Sequence, residues 1–222
     1  MIIQEIWRYP VKSMGGELLR SAILQEGILG DRVIQVQSGS GRTVTARAYP
    51  GLLGLRAVID ERGVPLVDGL PWTDPQVLEA VRAIVGPEAR LVRDESLDRF
   101  DILPLLVATD GAISAFGRDG RRLRPNIVVG GVDGLEERTW PGSHLMVGDA
   151  VIRVHDLRGR CIMTTFDPDT LAHDPGVLRD IGTRFGGKLA LNCDVVRGGQ
   201  LEIGQRVTIR QRGQVPDAPW RE

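Results

Sequence analysis

Cys161 stands in the stretch RGRCIMTTFDPDT, behind Arg158 and Arg160, and is one of only two cysteines in the chain. Neighbouring cations lower a thiol's pKa and favour the thiolate, the form that attacks electrophiles and binds metals. The alternative is an ordinary structural cysteine, flanked by arginine only because arginine is abundant. Cys193 has the structural setting: it lies in the apolar run LALNCDVV, with no basic neighbour closer than Arg197. Two cysteines cannot by themselves hold an iron–sulfur cluster or a four-sulfur zinc site.

Three basic islands offer cations to an anion. YPVKS ends at Lys12-Ser13, GILGDR ends at Arg32, and RRLRPN carries Arg124 ahead of Pro125 and Asn126. Each falls at a strand end or turn, where functional side chains are often mounted, although each also reads as a solvated charge. Pro125 is expected to press Arg124 toward an extended backbone, giving a rigid mount for a cation and an amide. Only Lys12 and Lys188 are lysine among 28 basic residues, so a lysine retained at a turn suggests a need for a compact ammonium. Elsewhere the chemistry is sparse. His144, His155 and His173 share no metal-ligand spacing, and no GxxxxGK[ST] phosphate loop exists. GGVDG reads as a turn, and DPDT as a turn begun by Asp-Pro in which Asp169 bonds its own backbone.

Composition narrows the partners. The 222 residues are 42% hydrophobic and 26% charged, as in an ordinary globular protein large enough for one or two cores. A net charge of −1 and ten scattered aromatics provide no footprint for nucleic acid. The N-terminus MIIQEIWRYP lacks a secretion signal, and no apolar run approaches the roughly 20 residues that span a bilayer. The expectation is a cytoplasmic protein with free thiols, no membrane partner and no nucleic-acid partner.

Short strands must position most of these residues. IIQEIW, ELLRSAIL, RPNIVVGG, HLMVGDAVIRVHDL, LALNCDVV and LEIGQRVTIRQ all read as strands. RVIQVQ and RTVTAR read as a hairpin around SGSG, and LRAVIDERGVPLV as another around Arg62-Gly63. Helices are expected after the caps Asp74, Thr109 and Asp174, stopping at Gly86, Gly117 and Gly186. With no regular strand–helix alternation, the expected fold is mainly β (α+β) and barrel-like, with a few short helices. The best boundary lies between 90 and 98, giving units 1–92 and 93–222, and the tail QVPDAPWRE is expected to be partly loose.

In their order, YPVKS, GILGDR and VTARAYP resemble the N-terminal β domain of proteins carrying the molybdenum-cofactor sulfurase C-terminal (MOSC) domain. RLRPNIVVGG, ERTWPGSHLMVGDAVIRV, GRCIMTTFDPDT and GGQLEIGQRV resemble the MOSC domain itself. The resemblance spans almost the whole chain and is nearest to the amidoxime-reducing components and their bacterial relatives. It implies that Cys161 is a thiolate ligand of molybdenum in a pterin cofactor (Mo-molybdopterin). It also implies that Lys12, Ser13, Arg32, Thr109, Arg124, Asn126, Arg160 and Asn192 contact that cofactor. The implied activity is pyridoxal-phosphate-independent reduction of small N-hydroxylated substrates: amidoximes, hydroxylamines or N-hydroxylated bases. No cysteine-rich extension is present, so electrons are expected from a separate donor of ferredoxin, flavoprotein or cytochrome type. Two other readings share these residues: a sulfur carrier or transferase holding a persulfide on Cys161, and a non-catalytic cofactor-binding protein. The chain departs from the animal members at Ala190 and Asn192, where they have glycine and tyrosine, and at Gln205, where an aspartate is usual. The first two departures bear on substrate range.

Overall fold

The computed structural model describes residues 1–211; the expectation for the tail QVPDAPWRE lies outside them. The first half of the chain contributes β1 (Ile2–Arg8), β2 (Glu17–Leu19), β3 (Ser21–Leu24), β4 (Ile34–Gln37), β5 (Ala57–Ile59), β6 (Pro65–Val67) and β7 (Leu70–Pro71). Helix α1 (Pro75–Val85) and β8 (Arg90–Arg93) follow, then β9 (Leu105–Thr109), α2 (Asp110–Phe116) and β10 (Ile127–Gly130). The chain goes on through β11 (His144–Val147), β12 (Ala150–Gly159), α3 (Pro175–Phe185), β13 (Lys188–Arg197), β14 (Gly199–Glu202) and β15 (Val207–Arg210). Among the described residues the fold is mainly β with three short α-helices, as the sequence predicts.

The dominant sheet has eight strands in the order β15-β11-β12-β13-β9-β10-β1-β2. Its two ends meet. Ile2 bridges Arg206, Ile3 N donates to Gln205 O at 2.9 Å, and Val207 N donates to Met1 O at 3.0 Å. Seven strands therefore close into a barrel, which removes the exposed edges of an open sheet. Only the β9–β10 pair is parallel, and α2 makes the crossover between its strands. The barrel interior is apolar: Ile3, Ile6, Val107, Ile127, Val154, Leu191 and Cys193 are among its fully or almost fully buried side chains. A second core, with Val11, Met14, Ile34, Val36, Leu52 and Val81, lies under β4–β8 and α1.

One predicted hairpin is replaced by a different pairing. RVIQVQ and RTVTAR join only at the tip, through Ser38 N to Arg42 O and Val44 N to Val36 O, both 2.9 Å. Beyond the tip, β4 pairs with β8 in a register running from Ile34↔Arg93 to Gln37↔Arg90. RTVTAR still packs Val44 and Ala46 on the second core, while β8 sets Leu91 opposite Val36 and Val92 opposite Gln35. The helix caps hold as read. Asp74, Thr109 and Asp174 each accept from a backbone N–H of the first turn, and α1 and α3 begin with proline.

Two buried features yield stability predictions. Glu137 is 0% exposed, its Oε1 has no partner, and its Oε2 faces only the Thr109 hydroxyl at 3.4 Å. Burial raises its pKa above the ordinary 4.5, outweighing the Thr109 contact and Arg138. A carboxyl whose pKa rises on folding supports the fold below its unfolded pKa and withdraws that support as pH climbs through the folded value. Glu137→Gln is therefore expected to raise stability at neutral pH and flatten the pH profile above about 4.5, as denaturant titrations between pH 4 and 8 would record. Ala190, fully buried in β13, has φ of 69°. Since a Cβ strains that left-handed backbone, Ala190→Gly should gain roughly 0.5–1 kcal/mol in the same titrations.

Candidate functional site

A cleft where the two cores meet gathers residues from distant parts of the sequence. The β1–β2 connection supplies Lys12 and Ser13, and the β3–β4 connection supplies Arg32. Arg124 and Asn126 come from the approach to β10, Arg160 and Cys161 from the end of β12, and Asn192 from within β13. Of the nine residues singled out from the sequence, only Thr109 is absent from the lining. Its hydroxyl accepts from Ala112 N at 3.1 Å and so caps α2.

The backbone at this cleft is unusual. Six non-glycine residues have positive φ among the described residues, and three of them, Ser13, Arg32 and Arg124, line the cleft. The expectation of an extended Arg124 is corrected: its φ and ψ are 54° and 51°. The preceding 3₁₀ turn, Gly120–Leu123, ends on Arg124, whose N–H closes it by donating to Arg121 O at 2.9 Å. That closure outweighs the bias imposed by the following proline. Left-handed non-glycine residues persist only where surrounding contacts over-determine them, and they concentrate at functional sites.

Several cations of the wall are already matched. Lys12 Nζ lies 2.8 Å from Asp101 Oδ1 and donates to Arg99 O at 2.9 Å. Asp101 stays ionised below its usual range: burial pushes its pKa up, but the Lys12 hydrogen bond and the charges of Lys12, Arg47 and Arg158 more than reverse this. Arg32 Nη1 pairs with Asp31 Oδ2, and Arg122 Nη2 lies 2.9 Å from Asp167 Oδ2. Asn126 has no free donor, because Nδ2 serves both Trp7 O and Asp31 Oδ2. Ser13 Oγ accepts from Ala46 N at 3.0 Å, leaving its own hydrogen to donate.

Three guanidiniums of the cleft lining have no carboxylate partner among the described residues. Arg124 stacks on the Tyr9 ring, 4.3 Å from its centroid. Arg160 donates Nη2 to Leu123 O at 2.7 Å, but its Nε and Nη1 are buried without an acceptor. Burial lowers both Arg124 and Arg160 to about 10, so each remains a cation at neutral pH but an under-solvated one. Burial also pushes Tyr9 up to about 12, which keeps it a neutral phenol beneath Arg124. Arg158 donates Nη1 to the neutral amide oxygen of Asn192 at 3.1 Å. Asn192 in turn donates Nδ2 to Asp156 Oδ1 at 2.8 Å.

Cys161 is partly exposed at this cleft, whereas Cys193 is buried in the barrel, where desolvation drives its thiol well above the usual range. The Cys161 carbonyl accepts from Thr164 N and Thr164 Oγ1, at 3.0 and 2.9 Å, which fixes the turn that follows it. Among the described residues no three His, Cys, Asp or Glu side chains cluster to hold a metal. Sequence reasoning missed Asp31 and Arg99, both buried, although the adjacent Asp31-Arg32 pair was a visible cue. Asp167, rather than Asp169, makes the side-chain turn of DPDT, accepting from Asp169 N and Thr170 N. No helix among the described residues is long and apolar enough to cross a membrane.

Comparison with known proteins agrees with the motif order. Residues 1–76 match the MOSC N-terminal beta barrel domain and residues 113–208 the MOSC domain. The chain is 29% identical over 229 residues to mitochondrial amidoxime reducing component 2 of Homo sapiens, a match covering 76% of this chain and 67% of that protein. It is 25% identical to mitochondrial amidoxime-reducing component 1 of the same species, with the same coverage of both chains. The solved YUAD protein of Bacillus subtilis is a distant likeness, at TM-score 0.48 and 11% identity over 94% of each chain. The two domain matches in sequence, the first containing Lys12, Ser13 and Arg32 and the second Arg124, Asn126, Arg160, Cys161 and Asn192, mean that this chain belongs to the MOSC family.

Proposed function

We propose that this chain is a molybdenum-cofactor oxidoreductase that reduces N-hydroxylated compounds (amidoximes, hydroxylamines or N-hydroxylated bases) using electrons from a separate donor protein. The observation that carries the reading is the pairing of a partly exposed thiol, Cys161, with the buried, unsatisfied donors of Arg160 in the same cleft. A buried cation without a counter-charge is costly, and a resident anion removes that cost. The orphaned Nε and Nη1 of Arg160 fit the anionic part of a pterin cofactor, as does Arg124 across the Tyr9 ring. The names of the amidoxime-reducing relatives support the substrate class.

When bound, the cofactor supplies two-electron reduction of the N–O bond. The chain's own part is to hold and orient it. Cys161 offers a soft thiolate ligand suited to a sulfur-rich metal. Arg124, Arg160 and the Ser13 hydroxyl present donors, while Lys12, Arg32 and Asn126, engaged with Asp101 and Asp31, fix the wall's shape. On this reading Thr109 acts indirectly, by capping the helix after β9. Of the two proposed units, 1–92 and 93–222, the first lends β1 to the barrel built by the second.

Protein purified from a host that loads other molybdoenzymes should carry near-stoichiometric molybdenum and release a fluorescent pterin on oxidative denaturation. Metal-free protein from that host would sink the reductase reading and favour a persulfide on Cys161. Arg124→Ala removes a buried cationic partner, worth roughly 3–5 kcal/mol, or two to four decades in cofactor affinity. It should purify folded but depleted of pterin; full occupancy would make Arg124 an ordinary charge. The two cysteines form an internal comparison, read as turnover per bound molybdenum. Cys161→Ser should abolish that turnover, since a hydroxyl is a poor ligand for a sulfur-rich site. Cys193→Ser should cost about 1–3 kcal/mol of stability and leave turnover nearly unchanged.

A further inference from the structure

The cations of the cleft differ in depth. Arg124 packs on the Tyr9 ring, and Arg160 donates to Leu123 O while its Nε and Nη1 are buried. Arg158 lines the same cleft. Its charged neighbours are Asp101, Cys161, Arg32 and Arg47, and the Asp101 and Arg47 side chains are 31% and 49% exposed. Exposed Ile102 belongs to the same stretch of the lining. Arg158 therefore lies among the exposed side chains of the cleft, whereas Arg160 keeps two donors out of solvent.

Arg158 is also held in an unusual way. Its one hydrogen bond to protein runs from Nη1 to Asn192 Oδ1, a neutral acceptor, and Asn192 is anchored by Asp156 Oδ1. Other cations at the mouth are quenched by a carboxylate: Arg47 Nη2 lies 3.1 Å from Asp101 Oδ2, and Lys12 Nζ 2.8 Å from Asp101 Oδ1. Asn192 thus fixes the direction of the Arg158 guanidinium without neutralising it. The Nε and Nη2 donors carry no protein partner and are not sealed off. That is the fork geometry that takes a carboxylate through two parallel hydrogen bonds.

We propose that Arg158, aimed by the Asn192–Asp156 relay, is a specificity-determining residue that selects N-hydroxylated substrates bearing a carboxylate. The proposal rests on the reductase reading above for the word substrate, but the carboxylate site itself does not. A resident cofactor is best matched by buried cations that never see solvent. An exchanging ligand is best matched by a cation at the mouth that stays charged and oriented between turnovers. Asn192 is a positioning residue, because its amide touches Arg158 and Asp156 and acts on the ligand only through the guanidinium.

The test compares benzamidoxime with 4-carboxybenzamidoxime on the loaded enzyme, and measures benzoate binding by calorimetry on the same protein with or without metal. The native chain should favour the carboxylated compound in kcat/KM. Arg158→Leu should lower the ratio of carboxylated to neutral kcat/KM by about ten- to a hundredfold, chiefly through KM, the range expected for a charge-assisted hydrogen-bonded pair. Benzoate affinity should fall by a similar factor. Arg158→Lys should recover part of both, and Asn192→Ala should fall between, since the guanidinium is then present but unaimed. An unchanged ratio together with unchanged benzoate binding overturns the proposal. So does loss of molybdenum and pterin in Arg158→Leu with benzoate binding intact, which would assign Arg158 to the cofactor. If neither amidoxime is reduced while benzoate binding still depends on Arg158, the reductase reading fails and the carboxylate site stands.

Discussion

The cleft depends on one buried carboxylate. Asp31 is 0% exposed and joins three segments that are far apart in sequence. Its Oδ1 accepts from Tyr9 N at 2.7 Å, and its Oδ2 accepts from Asn126 Nδ2 at 3.2 Å and from Arg32 Nη1. An isolated buried carboxylate is strongly disfavoured, so these partners are obligatory rather than decorative. Satisfying them fixes the end of β1, the start of β10 and the Arg32 turn relative to one another. The Asp31 carbonyl also accepts from Arg99 Nε at 3.2 Å, which ties in the loop that leads to Lys12's partner Asp101.

This arrangement divides the basic residues by purpose. Cations paired with carboxylates, such as Lys12, Arg32 and Arg122, are compensated before any ligand arrives and serve to build the wall. Arg124 and Arg160 are desolvated without compensation, so their charge is available only to something that binds. Total basic content could not have distinguished the two groups. In a chain with 28 basic residues, it is the absence of a carboxylate partner, together with burial, that identifies the cradle.

Much of the fold was legible in the sequence because its signals are local. Caps at Asp74, Thr109 and Asp174 set the helix starts, and alternating runs set the strands of the barrel. Pairing was less visible: β4 pairs with the distant β8 rather than with the nearer RTVTAR, and both runs pack apolar side chains on the same core, so local pattern could not separate them. At the site, eight of nine expected residues reach the cleft, yet their conformations were not readable. Arg124 has a left-handed backbone because a 3₁₀ turn ends there, and no rule for residues before proline anticipates it. Asp31 was missed because a carboxylate next to an arginine looks like surface charge until three chain segments are seen to converge on it.

The same convergence explains why the cleft lies where it does. Strand β12 runs along the barrel to Gly159, pairing with β13 through three register shifts, the last between Leu157 and Gly159. Arg160 N then donates to Gly187 O at 2.9 Å, so the chain is still tethered to the barrel one residue before Cys161. Two residues after Cys161, Met163 packs against the second core, beside residues of the N-terminal half. Cys161 is thus suspended between two hydrophobic cores, each of which holds one side of its turn. Bulged strands re-aim side chains at barrel rims, and here the re-aimed residues include the cysteine and both flanking arginines. Neither core alone could hold that turn, since one supplies the strand that ends at Gly159 and the other the seat for Met163. A thiol held in this way keeps its direction while staying partly exposed, the combination that a loop on a single core could not give it.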